Sequence, residues 1–311
     1  EDFILPQCAM QGKTSLLRLI LPDQLIAIEA SAFEGCSYIT GSLNIPEGVT
    51  RIERGAFGGC SSLTGTLTLP STLERIDGNY TAGEGGAFVG CGFVCQLKLP
   101  ENLKYIGPYS FLGCSSLFGD LKLPDKLEYI GAGAFEGCSN ITGSLEIPQG
   151  ITEINGRSFA FCGFNGTLTL HDGIIAIGTG AFQGSPFRGE LILPKDLVVI
   201  NNDVFNGCDF SSTLTLPENT AVIGSYAFAG NWRLMGILNI PQGVQSIGDH
   251  AFENCRSIEG IIFENGIETI AKYAFNGCFG IGQITSKAIY PPYVVAGAFD
   301  GISKDNFTLE V

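Results

Sequence analysis

The imidazole side chain is scarce in this chain, which contains only His171 and His250. A Ser-His-Asp triad or a zinc site needs at least one imidazole beside its partner groups. The repeat described below places the two histidines about three coils apart, so they cannot converge in a rigid stack. The sequence therefore offers no basis for triad or zinc chemistry.

Paired carboxylates are the remaining catalytic option, because two of them can hydrolyse a glycosidic bond. Asp120, Glu146 and Glu190 fall at outward strand positions. Glu146 and Glu190 are two coils apart, roughly 10 Å at about 4.8 Å per strand. Asp120 is closer to Glu146, but with Lys122 between them the group is typical of a solvated charge network. We predict no catalytic residue, and a polysaccharide-active enzyme is the least favoured function.

Acidic residues also form a column directly after a recurring proline, at Asp23, Glu47, Glu101, Asp125 and Glu218. Carboxylates can hold calcium, but the D-x-D-x-D-G loop spacing is absent. Single carboxylates one coil apart more often solvate an edge. The sequence predicts neither a metal site nor a cofactor.

Nine of the eleven cysteines recur at one position, three residues after a recurring phenylalanine. These are Cys36, Cys60, Cys91, Cys114, Cys138, Cys162, Cys208, Cys255 and Cys278, while Ser185 and Asn231 take the position in two other copies. This pattern predicts a buried ladder of small side chains, in which Cys acts as a small apolar residue. Cys8 and Cys95 lie outside the ladder.

The element that must position all these residues is a repeat of 23 or 24 residues, with one interval of 31. Its phenylalanine falls at Phe33, Phe57, Phe88, Phe111, Phe135, Phe159, Phe182, Phe205, Phe228, Phe252, Phe275 and Phe299. A fixed period in this range indicates a solenoid. We predict a right-handed solenoid of about twelve coils, with a parallel β-sheet along one face and little helix.

Each coil contains the same parts. A short strand such as 43–45 alternates inward and outward residues, and a proline such as Pro46 then ends it. A second apolar segment with the spacing Val49-x-x-Ile52 follows, and leads to the phenylalanine. We expect the first segments of all coils to stack into one parallel sheet.

The repeat pattern predicts one elongated domain. Residues 16–299 form the solenoid, with a surface-loop insertion at 78–86, and residues 1–15 and 300–311 cap its two ends. The net charge of −14 repels phosphates, so a nucleic-acid partner is not expected. No apolar run is long enough to span a bilayer.

Two outward surfaces differ from the rest of the array. On repeats 7 to 9, apolar residues replace polar ones at Ile175, Ala176, Ile192, Val198, Val199, Ala221 and Val222. These side chains either form an exposed patch or lean inward at a bend. Earlier coils instead carry a basic and aromatic face at Arg51, Arg75, Lys104, Tyr105 and Tyr129, residue types that suit protein or glycan contacts.

The consensus of the copies is L-x-I/L-P-x-x-L/V-x-x-I-G-x-x-A-F-x-G-C-S-S-L-x-G. It resembles the Treponema pallidum-type leucine-rich repeat of BspA-like surface proteins from Bacteroides and related bacteria. The resemblance implies a leucine-rich-repeat solenoid that is secreted or held at the cell surface by a segment outside this chain. It also implies a non-enzymatic, adhesin-like module for an extracellular protein or glycan. The alternative is a structural protein that self-associates through the apolar patch.

Overall fold

The computed structural model describes residues 3–79 and 85–302, and the backbone of Thr308–Glu310. The chain forms two compact units, Glu1–Phe164 and Asn165–Val311. Each unit is a stack of short coils with parallel strands, as predicted for a β-solenoid. The described residues contain no α-helix, and so no helix that could cross a membrane.

The strands of the first unit are mostly two residues long. They are β1 Phe3–Leu5, β2 Leu25–Ile28, β3 Leu43–Asn44, β4 Arg51–Ile52, β5 Leu67–Thr68, β6 Arg75–Ile76, β7 Tyr105–Ile106, β8 Gly119–Asp120, β9 Tyr129–Ile130, β10 Ile141–Thr142, β11 Leu145–Glu146 and β12 Glu153–Ile154.

The second unit has longer strands toward its C-terminal end. They are β13 Leu168–Thr169, β14 Ala176–Ile177, β15 Val199–Ile200, β16 Val222–Ile223, β17 Gly236–Ile240, β18 Ser246–Ile247, β19 Ile258–Phe263, β20 Thr269–Ile270, β21 Gln283–Ser286, β22 Tyr293–Val294 and β23 Thr308–Glu310.

The longest sheets run through the second segment of the coils. They are the six-stranded sheet β1-β2-β4-β6-β7-β9 and the five-stranded sheet β15-β16-β18-β20-β22. The expectation that the first segments make one continuous sheet was therefore wrong. The second-segment isoleucine always stands six positions after the proline position, as Ile52 does after Pro46, so register is kept. The return loop before the first segment varies in length, and residues 97–99 form no strand.

A further ladder of backbone hydrogen bonds runs along the phenylalanine corner. The N–H groups of the phenylalanine and of the residues two before and two after it donate to carbonyls of the next coil. In one coil these are His250 to Lys272 at 3.0 Å, Phe252 to Ala274 at 2.7 Å and Asn254 to Asn276 at 2.8 Å. His250 and Asn254 have φ values of 57° and 60°, so the backbone alternates in a way that points all three N–H groups in one direction.

The recurring phenylalanines form the core of each unit. Within the units, neighbouring rings stack with centroids 5.2 to 5.7 Å apart and interplanar angles of 19° or less. Where the return loop is shorter, a second phenylalanine such as Phe93 packs edge-on against the stack, 6.1 Å from Phe88. Leu63 and Leu117 fill the same space in longer copies, and all of these side chains are buried.

The cysteine ladder satisfies the carbonyl groups of these phenylalanines. The thiol of Cys114 donates to the Phe88 carbonyl of the preceding coil at 3.0 Å, and equivalent bonds recur along both units. In one of the copies that lack this cysteine, the Asn231 amide donates to the Phe205 carbonyl at 2.7 Å. The predicted buried ladder is confirmed, and the cysteines are free thiols. Cys95 is buried and Cys8 is exposed.

The phenylalanine stack predicts a large loss of stability on truncation. Phe135 is fully buried, so Phe135→Ala should lower the free energy of unfolding by about 3–5 kcal/mol. Urea denaturation followed by circular dichroism measures the change. Phe118 in the same unit is 49% exposed, and Phe118→Ala is the matched control. Similar losses in the two variants would contradict the assigned core.

The cysteine ladder predicts a loss of stability at alkaline pH. Burial raises the pKa of the Cys60 and Cys114 thiols to about 12. Unfolded thiols ionise near pH 8.5, so their contribution is present below that pH and is lost progressively as pH rises toward 12. With a reductant present, the urea concentration at the unfolding midpoint should decrease as the pH is raised from 7.5 to 10.5. The fall should be smaller in a Cys60→Ser, Cys114→Ser variant, and an equal fall would assign the effect to other groups.

Candidate functional site

The two histidines lie in separate surroundings within the second unit. His171 accepts a hydrogen bond on Nδ1 from the Gly173 N–H at 3.1 Å. His250 lies 2.8 Å from a Glu253 carboxylate oxygen and stacks on Tyr226 with centroids 4.6 Å apart. Within residues 3–79 and 85–302, no three His, Cys, Asp or Glu side chains are grouped to hold a metal ion.

Asp120 and Glu146 line one open cavity of about 540 Å³ in the first unit, together with Lys122 and Asp125. Both carboxylate residues are exposed. Lys122 pairs with Glu101 at 3.8 Å, and both of these side chains are largely exposed. The lysine therefore forms an exposed ion pair with a carboxylate outside the predicted group.

The outward residues of the six-stranded sheet form a continuous row, which we call the Arg-Tyr ladder: Arg51, Arg75, Tyr105 and Tyr129. Direct register pairs connect each residue to the next across β4, β6, β7 and β9. The Arg75 guanidinium lies 4.0 Å from the Tyr105 ring centroid, and Tyr105 stacks on Tyr129 at 4.6 Å with planes 7° apart. The structure thus brings these predicted residues together.

The charge of the Arg-Tyr ladder differs from the basic face expected from sequence. Arg51 lies 3.7 Å from Glu29 and 3.2 Å from Glu53, and Arg75 lies 2.8 Å from Asp77. The neighbouring Lys104 pairs with Glu74 at 3.0 Å. The cations therefore have acidic partners from nearby positions, and the face is charge-paired. What distinguishes it is the stacked tyrosines and the arginine held over them.

The apolar residues of repeats 7 to 9 lie in the second unit, and four of the seven are exposed. The exposed fractions are 60% for Ile175, 50% for Val198 and 37% for Val199, while Ala176, Ala221 and Val222 are half-buried. Three of these six side chains are therefore exposed, at Ile175, Val198 and Val199, and the other three are partly shielded. Ile192 is 64% exposed, but it belongs to the first segment, across the turn that begins at Pro194.

The insertion at 78–86 is described only at its two ends, since residues 80–84 lie outside the described residues. Asn79 and Gly85 line an open cavity of about 340 Å³ with Gln7, Ser31 and Arg54.

One aromatic feature was missed by sequence reasoning. Tyr226, His250 and Tyr273 all stand two residues before the phenylalanine, with φ between 57° and 58°. His250 stacks on Tyr226 and is 5.1 Å from Tyr273, so the three rings form a second row. The sequence contains a signal for this row, because the position holds glycine in several other copies and an aromatic ring in these three consecutive copies.

Comparison with known proteins identifies the array. The BspA type leucine rich repeat region matches residues 4–82, 81–209 and 176–290. The chain belongs to the BspA-type leucine-rich-repeat family. This confirms the resemblance seen in the consensus and the leucine-rich-repeat solenoid that it implies.

Solved structures of leucine-rich-repeat proteins are similar to this family member. A protein from Bacteroides ovatus is 22% identical over 99% of this chain and 86% of its own, with a TM-score of 0.57. A leucine-rich cell surface protein from Faecalibacterium prausnitzii is 22% identical over 90% of this chain and 68% of its own, with a TM-score of 0.48. The T. pallidum leucine-rich-repeat protein is 28% identical over 54% of this chain and 76% of its own, with a TM-score of 0.45. The comparison with curated proteins gave no match.

Proposed function

We propose that this chain is a non-enzymatic binding module that recognises an extracellular protein or glycan through the Arg-Tyr ladder. The observation that supports this most directly is the contact of Arg75 with Tyr105 at 4.0 Å and of Tyr105 with Tyr129 at 4.6 Å. Tyrosine and arginine are the residue types that contribute most binding energy at protein interfaces. Membership of a repeat family supports a scaffold role, since each coil supplies outward positions on a rigid core.

The ladder is suited to binding because its side chains are ordered before a partner arrives. Arg75 is held by Asp77 on one side and by the Tyr105 ring on the other. Tyr105 and Tyr129 are half-buried and restrain each other through stacking. Little side-chain entropy is then lost when a ligand covers them, which favours affinity from a small number of contacts.

The location that suits this function is the bacterial surface or its surroundings. Family membership favours this location, and the Faecalibacterium relative is itself described as a cell surface protein. The excess of 31 acidic over 17 basic residues disfavours nucleic acid as the partner. The partner is then a matrix or cell-surface protein, or a glycan.

Binding to an immobilised panel of matrix proteins and glycans tests the proposal. Tyr105→Ala removes the centre of the ladder and should weaken saturable binding about 30-fold, because an interface residue of this type contributes about 2 kcal/mol. Tyr38 is in the same unit, is 56% exposed and is outside the ladder, so Tyr38→Ala is the matched control. Equal affinities of the two variants would show that the ladder is not the binding site.

Self-association is a second candidate, favoured by the exposure of Ile175 and Val198 in neighbouring coils. Light scattering of the parent chain would then give the mass of a dimer or larger assembly. Val198→Asp should reduce this to the monomer mass, while Ile237→Asp, at the same 50% exposure in the same unit, should leave it unchanged. A monomeric parent chain would exclude this candidate at the concentration measured.

A further inference from the structure

A second surface, independent of the Arg-Tyr ladder, lies on the return loops of the second unit. Four consecutive coils, counted from the one that contains Phe205, place charged or aromatic residues directly after the cysteine position or its equivalent. Together with an arginine from the preceding coil, they form what we call the return face: Arg188, Asp209, Trp232, Arg233, Arg256 and Phe279. None of these residues belongs to the sheet that carries the apolar patch.

A buried carboxylate organises the centre of the return face. Asp209 is only 8% exposed, and its two oxygens lie 3.3 Å from Arg188 Nε and 3.5 Å from Arg233 Nε. One carboxylate thus holds two guanidinium groups from the coils on either side of it. The two arginines and Asp209 together carry one net positive charge. The side chains of Arg188 and Arg233 remain 58% and 42% exposed.

Aromatic rings support the arginines on the outside of this cluster. The Arg233 guanidinium lies 4.3 Å from the Trp232 ring centroid, and that of Arg256 lies 5.9 Å from the Phe279 ring centroid. Trp232 is 48% exposed and Phe279 is 59% exposed. The Ser257 hydroxyl donates to the Trp232 carbonyl at 2.8 Å, which connects this loop to the next. The surface is therefore built by contacts that link its successive loops.

The charge of the return face is opposite to that of the chain. Its three arginines have one carboxylate within 4.0 Å in the described part of the chain, namely Asp209. The net charge of the whole chain is −14. Excess positive charge beside exposed aromatic rings attracts a negatively charged partner.

We propose that the return face binds an acidic segment of a protein partner, in which carboxylates alternate with aromatic or aliphatic side chains. The planar guanidinium can donate two parallel hydrogen bonds to one carboxylate, and Arg, Trp, Phe and Met are enriched at protein interfaces. Met235, in the same return loop as Trp232, is 46% exposed and adds an aliphatic contact. An apolar surface of this kind favours a peptide over a sulfated polysaccharide, which has little apolar side-chain area to bury.

The chain contains one tryptophan, so the emission of Trp232 reports directly on the return face. The probe is a random copolymer of glutamate and tyrosine, titrated at low salt with excitation at a wavelength that tyrosine does not absorb. We expect a saturable change in Trp232 emission that weakens as salt is added. Polyglutamate without tyrosine should bind more weakly, because it has no aromatic groups to cover Trp232 and Phe279.

Three variants separate the contributions of charge and aromatic contact, and each of them changes an exposed side chain. Arg256→Glu and Phe279→Ala should each weaken copolymer binding about tenfold or more. Lys195→Glu makes the same charge change elsewhere in the unit, at a side chain that is 67% exposed, and should change affinity about twofold or less. Unchanged urea midpoints verify folding.

Three results would overturn the proposal. The first is the absence of saturable copolymer binding by the parent chain. The second is an equal loss of affinity in Lys195→Glu and Arg256→Glu, which would indicate general charge attraction. The third is tighter binding of heparin than of the copolymer, which would assign the face to a sulfated polysaccharide.

Discussion

Stacking between successive coils is the interaction on which the structure depends. A coil of 23 or 24 residues is too short to enclose a core, so its phenylalanine is shielded only when the adjoining coils lie on both faces of the ring. Ring spacings of 5.2 to 5.7 Å bring consecutive backbones within hydrogen-bonding distance at the same corner. Cysteine is favoured beside the ring because its small thiol fits the corner and donates to a phenylalanine carbonyl of the preceding coil.

The same stacking determines how surfaces arise in this molecule. Residues at one position of the repeat become direct neighbours across coils, whatever their distance in sequence. Arg75 and Tyr105 are 30 residues apart, yet they are register partners on adjacent strands. In these strands the isoleucines beside them, Ile76 and Ile106, are the buried residues, so the outward partner can vary at small cost to stability. A recognition surface can then change residue by residue without changing the fold.

The repeat made the core predictable from sequence. The stacked phenylalanines, the thiol ladder and the alternation at Leu43 follow from periodicity, because each is dictated by burial against an identical neighbour. The position of the long sheet was not predictable in the same way, because it depends on which loop keeps a constant length. The pairing of surface charges was also not predicted from sequence. Arg51 contacts Glu53, two residues later in its own coil, and Glu29 in the preceding coil. The return face escaped notice because Asp209 joins arginines from two different coils.

The hydrogen bonds of the phenylalanine corner have an electrical consequence. In an ordinary parallel strand, successive N–H groups point to opposite sides and their dipoles largely cancel along the stack. At this corner the N–H groups of residues such as His250, Phe252 and Asn254 all point toward the following coil. The peptide dipoles therefore add from coil to coil within each unit, as they do along an α-helix. Here, however, the partial positive charge accumulates at the C-terminal end, so each unit has the reverse polarity of a helix.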